Sequence, residues 1–278
     1  MDWQQAATSA LANPKRALRR SRRVRAGITR ALTTPDPAQR LVTSPVFVLS
    51  SVRSGSTLLR VLLNSHSQVC APHELHLKHV TAGVADRQHA VLAMKQLGLD
   101  DEELTHLLWD RIMDRELRRT GKRVFVDKTP GNGAMWERLS TAWPQARFVF
   151  LLRHPATITQ SLVKARPDLP QDRHERQVLA YAEQVEAARA ALPGHVVRYE
   201  DLCADPERVT RDLCRFLGVR WEAGMLEYGS HKHGRFATGL GDWSDNIRSG
   251  RVQPPRPLPP IDEVPPRLRE LTKVWGYA

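Results

Sequence analysis

The stretch that decides the fold of this chain is PVFVLSSVRSGSTLL, residues 45–59. A short apolar run rich in β-branched residues ends in a turn of small residues, and a helical pattern follows directly. A strand, loop and helix joined in this way present backbone N–H groups and the positive end of a helix dipole to one anion. The segment therefore predicts a phosphate-binding loop between a strand and a helix.

The loop departs from the usual nucleotide-triphosphate pattern at an informative place. Against G-x-x-x-x-G-K-[ST], Gly55 and Thr57 fit. Ser50 stands at the first glycine, and Ser56 stands where the lysine belongs. Arg53, inside the loop, supplies the positive charge instead. This substitution favours an anionic donor other than ATP.

After residue 44 the chain alternates short apolar runs with helical patterns. The runs predict strands over residues 46–50, 123–126, 147–152 and 195–198. The other patterns predict helices over residues 56–65, 85–97, 101–120, 134–142, 155–165, 173–192, 206–217 and 265–274. Alternating strands and helices predict an α/β fold in which a central parallel sheet is covered by helices on both faces.

The composition is typical of a globular protein, with 41% hydrophobic and 26% charged residues. The sequence has no apolar run of about eighteen residues, which a membrane span needs, and its first residues lack the apolar core of a signal peptide. Cys70, Cys203 and Cys214 are widely spaced and form no C-x-x-C pair. We therefore expect a cytoplasmic protein with reduced cysteines.

Positive charge is concentrated in the first 40 residues. They hold nine Lys and Arg against two Asp, a net charge of +7, which leaves +5 of the total +12 to the other 238 residues. Residues 15–30 suit an anionic membrane surface, or else form a solvated basic arm ahead of the domain. No aromatic residue interleaves the basic run and no nucleic-acid module follows it, so nucleic acid is disfavoured as a partner.

Charged and hydroxyl side chains follow the later predicted strands. Lys128 comes just after the strand of residues 123–126, and Arg153 comes just after residues 147–152, with Ser161 eight residues further on. Ligands collect at this carboxyl edge of an open α/β sheet. A magnesium-dependent nucleotide hydrolase would carry an Asp where Arg153 stands.

Two further segments carry candidate functional residues. One is APHEL, residues 71–75, which contains Glu74 and follows the first helix. The other is GLGDWS, residues 239–244, which contains Trp243 and is followed by Arg248 and Arg251.

Taken in order, these segments resemble the sulfotransferases that use 3′-phosphoadenosine 5′-phosphosulfate (PAPS). The loop resembles the 5′-phosphosulfate motif of that family, and Arg153 with Ser161 resembles its 3′-phosphate motif. VRYEDL, residues 197–202, and the Gly-Asp-Trp segment match further landmarks, so the resemblance runs from about residue 45 to residue 255. The similarity is greatest to the bacterial and tyrosylprotein-type enzymes, which share R-S-G-[ST]-T-L-x-R followed by a Glu.

The resemblance implies a P-loop-kinase-like three-layer fold. It divides the chain into a basic N-terminal arm or helix over residues 1–40 and one sulfotransferase domain over residues 41–278. It also implies PAPS as the co-substrate and 3′-phosphoadenosine 5′-phosphate (PAP) as the product, with no metal required.

The same resemblance assigns the donor-binding residues. Arg53 and the backbone of the loop would hold the 5′-phosphosulfate, and Arg153 with Ser161 would bind the 3′-phosphate. The remaining donor-site residues implied by the family motifs are Ser54, Gly55, Ser56, Thr57, Tyr199, Trp243, Arg248 and Arg251.

The predicted catalytic residues are Glu74 as general base, with Arg53 and Lys128 stabilising charge on the sulfuryl group and leaving oxygen. His73 and His76 are alternative bases, because other sulfotransferases use His. The segment fails the H-E-x-x-H zinc pattern, since Leu77 stands at the second His, but a zinc site from His73, His76 and His79 is an alternative.

We predict a PAPS-dependent sulfotransferase that acts on a hydroxyl of a small-molecule, carbohydrate or lipid acceptor. It would be cytoplasmic, and peripheral at the membrane if residues 15–30 bind anionic lipid. The alternatives are an ATP-dependent kinase of the same fold and a non-enzymatic basic protein that binds a membrane or another partner.

Overall fold

The computed structural model of the chain describes residues 40–85, 87–234 and 245–277. Of the predicted basic arm, residues 1–39 lie outside these ranges, and so does Trp243. The division of the chain at residue 40 stays a prediction.

The centre of the described part is a parallel sheet of five strands. These are β1 (Val46–Ser50), β2 (Val69–Cys70), β3 (Val124–Asp127), β4 (Arg147–Leu152) and β5 (Gly194–Arg198). Their order across the sheet is β2-β3-β1-β4-β5, so β1 lies between β3 and β4. The chain leaves β1 toward β2 on one side of the sheet and leaves β4 toward β5 on the other side. A crevice is therefore expected between the carboxyl ends of β1 and β4.

Helices cover both faces of this sheet. The helices of the described part are α1 (Ser56–Ser65), α2 (Gln88–Gln96), α3 (Asp101–Thr120), α4 (Trp136–Ala142), α5 (Pro155–Ala165), α6 (Gln171–Ala191), α7 (Tyr199–Ala204), α8 (Pro206–Leu217), α9 (Asp245–Arg248) and α10 (Pro266–Val274). Short 3₁₀ turns form at Leu77–His79, Pro130–Met135, Ala223–Leu226 and Tyr228–Ser230.

Two apolar cores lie on opposite sides of the sheet, because successive strand residues point to opposite faces. From β1, Phe47 and Leu49 pack into the core that contains Trp143. Val46 and Val48 join the other core, with Leu62 and its neighbours on α1. All five residues of β1 are buried. The predicted P-loop-kinase-like three-layer fold is confirmed.

Capping residues explain why several helix boundaries follow from the sequence. The Asp100 carboxylate accepts a hydrogen bond from the Glu103 N–H (2.8 Å) at the start of α3. Gly121 ends that helix with a positive φ of 66°. The α8 helix repeats the arrangement, with Asp205 at its start and Gly218 at its end. The predicted bounds of α1, α3, α5 and α8 are confirmed.

The structure differs from the predicted elements in places where local signals are weak. Strand β2 has two residues, too few to show periodicity, and the six-residue helix α7 follows β5 without an intervening turn. The helix predicted over residues 134–142 begins two residues later, as α4, because the 3₁₀ turn Pro130–Met135 precedes it. The helix predicted over residues 85–97 spans only Gln88–Gln96.

Arg40 and the two residues after it are fixed to the domain. The buried Arg40 guanidinium forms a bidentate ion pair with Glu103, both N···O distances being 2.8 Å, and donates to the Ala142 carbonyl. The Asp110 carboxylate accepts hydrogen bonds from the next two backbone N–H groups, those of Leu41 and Val42. Arg40 is thus part of the folded domain. No helix in the described ranges is long and apolar enough to cross a membrane.

Candidate active site

The loop between β1 and α1 adopts a conformation suited to anion binding. Arg53 and Gly55 have positive φ angles, 60° and 84°. Gly55 is the residue before α1, and its hydrogen side chain cannot cap that helix. The Ser54 hydroxyl donates to the Ser51 carbonyl over 2.7 Å, which holds the turn. A helix start of this kind directs backbone N–H groups toward an anion.

Tyr199 closes against this loop and explains why Gly55 is a glycine. A Cβ added at Gly55 would lie 2.1 Å from Cδ2 of the Tyr199 ring, so no larger residue fits. Burial raises the pKa of the Tyr199 hydroxyl to about 12, so it is protonated at neutral pH. The Tyr199 ring therefore packs against the loop at Gly55 and limits the size of the residue there.

Two buried hydroxyl groups at the loop were not singled out from the sequence. Ser50 and Ser51 are 0% and 1% exposed, and neither hydroxyl has a hydrogen-bond partner within the described ranges. Buried polar groups are normally hydrogen-bonded, so these two are candidates to bind a ligand.

The predicted 3′-phosphate residues gather beside the loop. The Arg153 Nη1 donates to the Arg53 carbonyl over 2.8 Å, and its guanidinium carbon lies 4.4 Å from the centre of the Tyr199 ring. Arg53 Nε in turn donates to the Ser161 hydroxyl over 3.1 Å. Four predicted donor-site residues from the loop, β4–α5 and α7 thus meet in one place. Ser161 contacts Arg53, whereas the sequence motif pairs it with Arg153.

A second cluster of side chains surrounds Glu74. It lies at the carboxyl end of β3, the strand next to β1. Lys128 is completely buried, and its ammonium pairs with the Glu74 carboxylate. Burial lowers the pKa of Lys128, and the negative charge of Glu74 opposes this shift. Asp127, next in the chain, is not its main partner: it is bound by the side chains of Thr129 and Asn132, each at 2.9 Å.

The segment that carries Glu74 is tied to the end of β3. The Thr129 hydroxyl accepts hydrogen bonds from the backbone N–H groups of Leu75 (3.1 Å) and His76 (3.4 Å). Because Thr129 follows Lys128 directly, one short stretch of chain fixes both partners of the buried ion pair.

Arg60 and Tyr181 also belong to this cluster, although sequence reasoning gave neither a role. Arg60, on α1, is 1% exposed, and burial lowers its pKa to about 10 while the Glu74 charge opposes that shift. Burial, and after it the Glu74 charge, raises the pKa of Tyr181 on α6. Arg60 is the last residue of the R-S-G-[ST]-T-L-x-R pattern, which was a usable signal. Tyr181 lies in an ordinary helical pattern and carried none.

The two histidines beside Glu74 in the sequence differ in position. His76 has a positive φ of 50°, and its Nε2 lies 3.5 Å from Glu74 Oε2. His73 is exposed, with Nδ1 3.1 Å from the Glu74 carbonyl oxygen. Of the two alternative bases, His76 is thus the one beside the carboxylate. No group of three or more His, Cys, Asp and Glu side chains in the described part of the chain has the geometry to hold a metal ion.

The segment with Arg248 and Arg251 is held near α1 by Tyr228. The Tyr228 hydroxyl lies 2.9 Å from the Arg251 carbonyl, and the Gly229 N–H donates to the Gly250 carbonyl over 3.1 Å. The backbone of this segment is therefore well fixed. Donor contacts by the Arg248 and Arg251 side chains stay predictions, and Trp243 lies outside the described residues.

Comparison with known proteins identifies the family. Residues 45–223 match the model of the sulfotransferase family, which is more than half of the chain. The chain belongs to that family.

Individual relatives agree with this assignment. The nodulation protein NoeE of Sinorhizobium fredii is 34% identical over 126 residues, which are 42% of this chain and 30% of that protein. Protein-tyrosine sulfotransferase 1 of Danio rerio is 26% identical over 213 residues, which are 66% of this chain and 55% of that protein. The chain thus matches only part of the length of each.

A solved structure supports the fold over most of the chain. The sulfotransferase domain of the Synechococcus PCC 7002 olefin synthase superposes with a TM-score of 0.64 and 25% identity. The superposition covers 88% of this chain and 98% of that domain.

Proposed function

We propose that this protein is an enzyme that transfers a sulfuryl group from PAPS to an acceptor hydroxyl. The observation that carries the proposal is the buried ion pair of Lys128 and Glu74 beside a phosphate loop. A lysine can stabilise the leaving phosphate oxygen, and a carboxylate can take the acceptor proton. The pair thus supplies two complementary groups that a sulfuryl transfer needs.

The charges and hydroxyl groups at the loop fit a polyanionic donor. PAPS carries about four negative charges, nearly two of them on its 3′-phosphate monoester. Arg53 and Arg153 meet at the loop, and Lys128 follows the adjacent strand. The hydroxyls of Ser50 and Ser51, which have no hydrogen-bond partner within the described ranges, add two buried hydrogen-bond donors. The three cations would offset most of the donor charge without a metal ion.

The proposed reaction uses these groups together. The acceptor oxygen attacks sulfur, the bond between sulfur and the 5′-phosphate oxygen breaks, and Glu74 receives the acceptor proton. The products are a sulfate ester and PAP, and the proton passes on to solvent. The donor's negative charge competes with Glu74 for the Lys128 ammonium, which makes the carboxylate available as a base.

The acceptor we propose is a hydroxyl of a small molecule, a carbohydrate or a lipid. The chain's relatives include a nodulation protein, a protein-tyrosine sulfotransferase and a domain of an olefin synthase, and only the second of these names states an acceptor. We further propose a cytoplasmic location, with residues 15–30 as the contact to an anionic membrane.

Transfer of radiolabelled sulfate from ³⁵S-PAPS tests this function. The full chain is incubated with four acceptor pools: phenols, sugars, lipid extracts and tyrosine peptides. Glu74→Gln serves as the catalytic control, and ATP labelled on its γ-phosphate tests for a kinase in parallel. We expect the wild type, and not the variant, to transfer label to the phenol, sugar or lipid pool, whereas transfer to the tyrosine peptides alone would contradict the proposed acceptor class. Phosphoryl transfer instead, or equal sulfate transfer by the Glu74→Gln variant, would contradict the proposal.

A further inference from the structure

The residues after α10 form a turn that returns the chain to the sheet. Gly276 has a positive φ of 72°, the Gly276 N–H donates to the Lys273 carbonyl over 2.8 Å, and the Tyr277 N–H donates to the Thr272 carbonyl over 3.0 Å. This pair of hydrogen bonds defines a Schellman motif, in which a glycine ends the helix in a left-handed conformation. The turn therefore sets the direction of Tyr277.

Side chains from two elements, α6 and β5, hold this turn in place. The Trp275 indole is buried and donates to Glu186 on α6 over 2.7 Å. Arg198, at the end of β5, donates to the Gly276 carbonyl over 3.2 Å. A Cβ at Gly276 would lie 2.3 Å from Nη2 of Arg198, so a larger residue there would displace the Arg198 guanidinium. The turn is thus bound to the edge strand β5 and to α6 by specific hydrogen bonds.

Tyr277 reaches the donor site through the carboxylate of Glu200. Its hydroxyl donates to Glu200 Oε2 over 2.6 Å, and Glu200 Oε1 accepts a hydrogen bond from the His154 N–H over 3.1 Å. Burial, and after it the Glu200 charge, raises the pKa of Tyr277, so the hydroxyl keeps the proton that it donates. Glu200 thus joins the 275–277 turn to the backbone between β4 and α5.

His154 is the neighbour of Arg153 and is held by the same contacts. Its ring is completely buried, packs edge-on against the Tyr277 ring at 5.3 Å between centres, and has no hydrogen-bond partner on either nitrogen in the described part of the chain. Burial, and after it the Arg153 charge, lowers the pKa of His154, so the ring is neutral. The hydrogen bond from the His154 N–H to Glu200 and the packing of the His154 ring against Tyr277 therefore fix the backbone next to Arg153.

We propose that Tyr277 is a positioning residue for the 3′-phosphate site of the donor, acting through Glu200 on the backbone that carries Arg153. The inference rests on the proposed function, and in particular on Arg153 as a ligand of the 3′-phosphate. Glu200 also follows Tyr199, which packs under the Arg153 guanidinium. One carboxylate therefore orders both the arginine and the ring beneath it, with Tyr277 supplying its second hydrogen bond.

Nucleotide binding to the full chain tests this role, with PAP and ADP as the two probes. ADP carries its second phosphate on the 5′ side and has none on the 3′ oxygen, so a variant that weakens the binding of PAP and not of ADP has lost an interaction with the 3′-phosphate. Tyr277→Phe removes the hydroxyl but keeps the ring against His154. We expect the Kd of PAP to rise about tenfold in this variant, the loss expected for one charge-assisted hydrogen bond. The Kd of ADP should change less than about twofold.

Two further variants separate positioning from general stability. Thr272→Val removes a hydrogen bond inside the same helix, from the Thr272 hydroxyl to the Leu268 carbonyl, and should leave the PAP-to-ADP ratio unchanged. In an Arg153→Ala background, Tyr277→Phe should have no further effect, because the residue through which it acts is gone. These two results would support the proposed route through Arg153.

The opposite outcomes overturn the inference. An unchanged PAP-to-ADP ratio in Tyr277→Phe, an equal loss for both nucleotides, or an additive loss in the Arg153→Ala background would each do so. A wild-type protein that does not prefer PAP over ADP would instead overturn the proposed donor site, which this inference needs. The wild-type measurement therefore distinguishes failure of the function from failure of the positioning role.

Discussion

The ammonium of Lys128 and the carboxylate of Glu74 form an ion pair although Lys128 is completely buried at the end of β3. Taking both charges out of water has a large desolvation cost, so such pairs are weak contributors to stability. The Glu74 carboxylate also lies beside the His76 ring. Thr129, the residue after Lys128, accepts a hydrogen bond from the Leu75 N–H and so holds the two segments together. The arrangement therefore agrees with the catalytic role that we propose for the pair.

Replacing Lys128 with Met should remove the ammonium charge that stabilises the leaving oxygen. The Met side chain fills a similar buried volume. We expect the rate of sulfuryl transfer to fall about 10²–10³-fold, as for other losses of one charge-stabilising donor. The measurement is kcat with ³⁵S-PAPS and the acceptor pool that the wild type uses.

The matched control is Lys122→Met. Lys122 donates to the Asn64 and Val69 carbonyls, so its loss should lower the melting temperature without a comparable loss of kcat. The double variant Lys128→Met/Glu74→Gln removes both buried charges and tests folding separately. Full activity in a folded Lys128→Met protein would remove this lysine from the mechanism.

Glu74→Gln should retain donor binding and lose turnover. A Gln keeps the shape of the side chain but cannot accept the acceptor proton, so kcat should fall about 10²–10⁴-fold. The Kd of PAP and kcat are measured on the same preparation. Glu222→Gln, at a carboxylate that binds the Ser67 N–H and hydroxyl, is the control and should keep activity. If Glu74→Gln stays active and its His76→Asn derivative does not, His76 is the base.

Gly55→Ala should disrupt the phosphate loop. The positive φ of 84° strains any L side chain, and the added Cβ would collide with the Tyr199 ring. We expect a loss of more than about 2 kcal/mol in the free energy of unfolding, or a large loss of PAP affinity if the ring moves instead. Chemical denaturation and PAP titration measure the two effects.

Gly121→Ala separates the two causes at Gly55. Gly121 has a similar φ of 66°, but a Cβ there would meet no atom within 4 Å in the described part of the chain. It should therefore show only the backbone cost, about 1 kcal/mol, with unchanged PAP affinity. Equal effects at the two glycines would mean that Tyr199 does not close against the loop.

The stability of the fold should decrease as the pH falls below 6.5. Burial lowers the pKa of His106, His154, His195 and His233 from the ordinary value of 6.5. In the interval below 6.5 the unfolded chain binds more protons than the folded one, so acid favours unfolding. The free energy of unfolding from urea titrations should therefore be lower at pH 5.5 than at pH 7.5.

His106→Gln provides the check on this pH effect. The His106 Nε2 accepts a hydrogen bond from Arg138 over 2.8 Å, and a Gln oxygen can accept one in its place. The variant should show a smaller loss between the two pH values. Equal free energies of unfolding at pH 5.5 and 7.5 in the wild type would contradict the burial of these histidines.

Sequence patterns predicted the parts of this fold that depend on local signals. The β1–loop–α1 unit, α3 and α8 have strong caps, glycine stops or clear periodicity, and their bounds agree with the structure. The elements β2 and α7 are too short to show a period, so they were missed.

The candidate site also contains contacts that local sequence patterns predicted and contacts that they did not. Motif order predicted that the loop, Arg153, Ser161 and Tyr199 belong together, and the structure brings them together. The contact of Tyr277 with Glu200 joins residues 77 positions apart in the chain, and no local pattern marks it. Such long-range contacts depend on how helices pack on the sheet, which periodicity alone does not specify.

The most direct test of the central claim is thermal melting of the full chain with PAP, ADP or ATP, each with and without magnesium. A ligand at about 100 times its Kd adds about 2.7 kcal/mol to the free energy of unfolding, which shifts the melting temperature by several degrees. We predict stabilisation by PAP that exceeds that by ADP and does not need magnesium. Stabilisation by ATP with magnesium alone would contradict the account and make a kinase the better assignment.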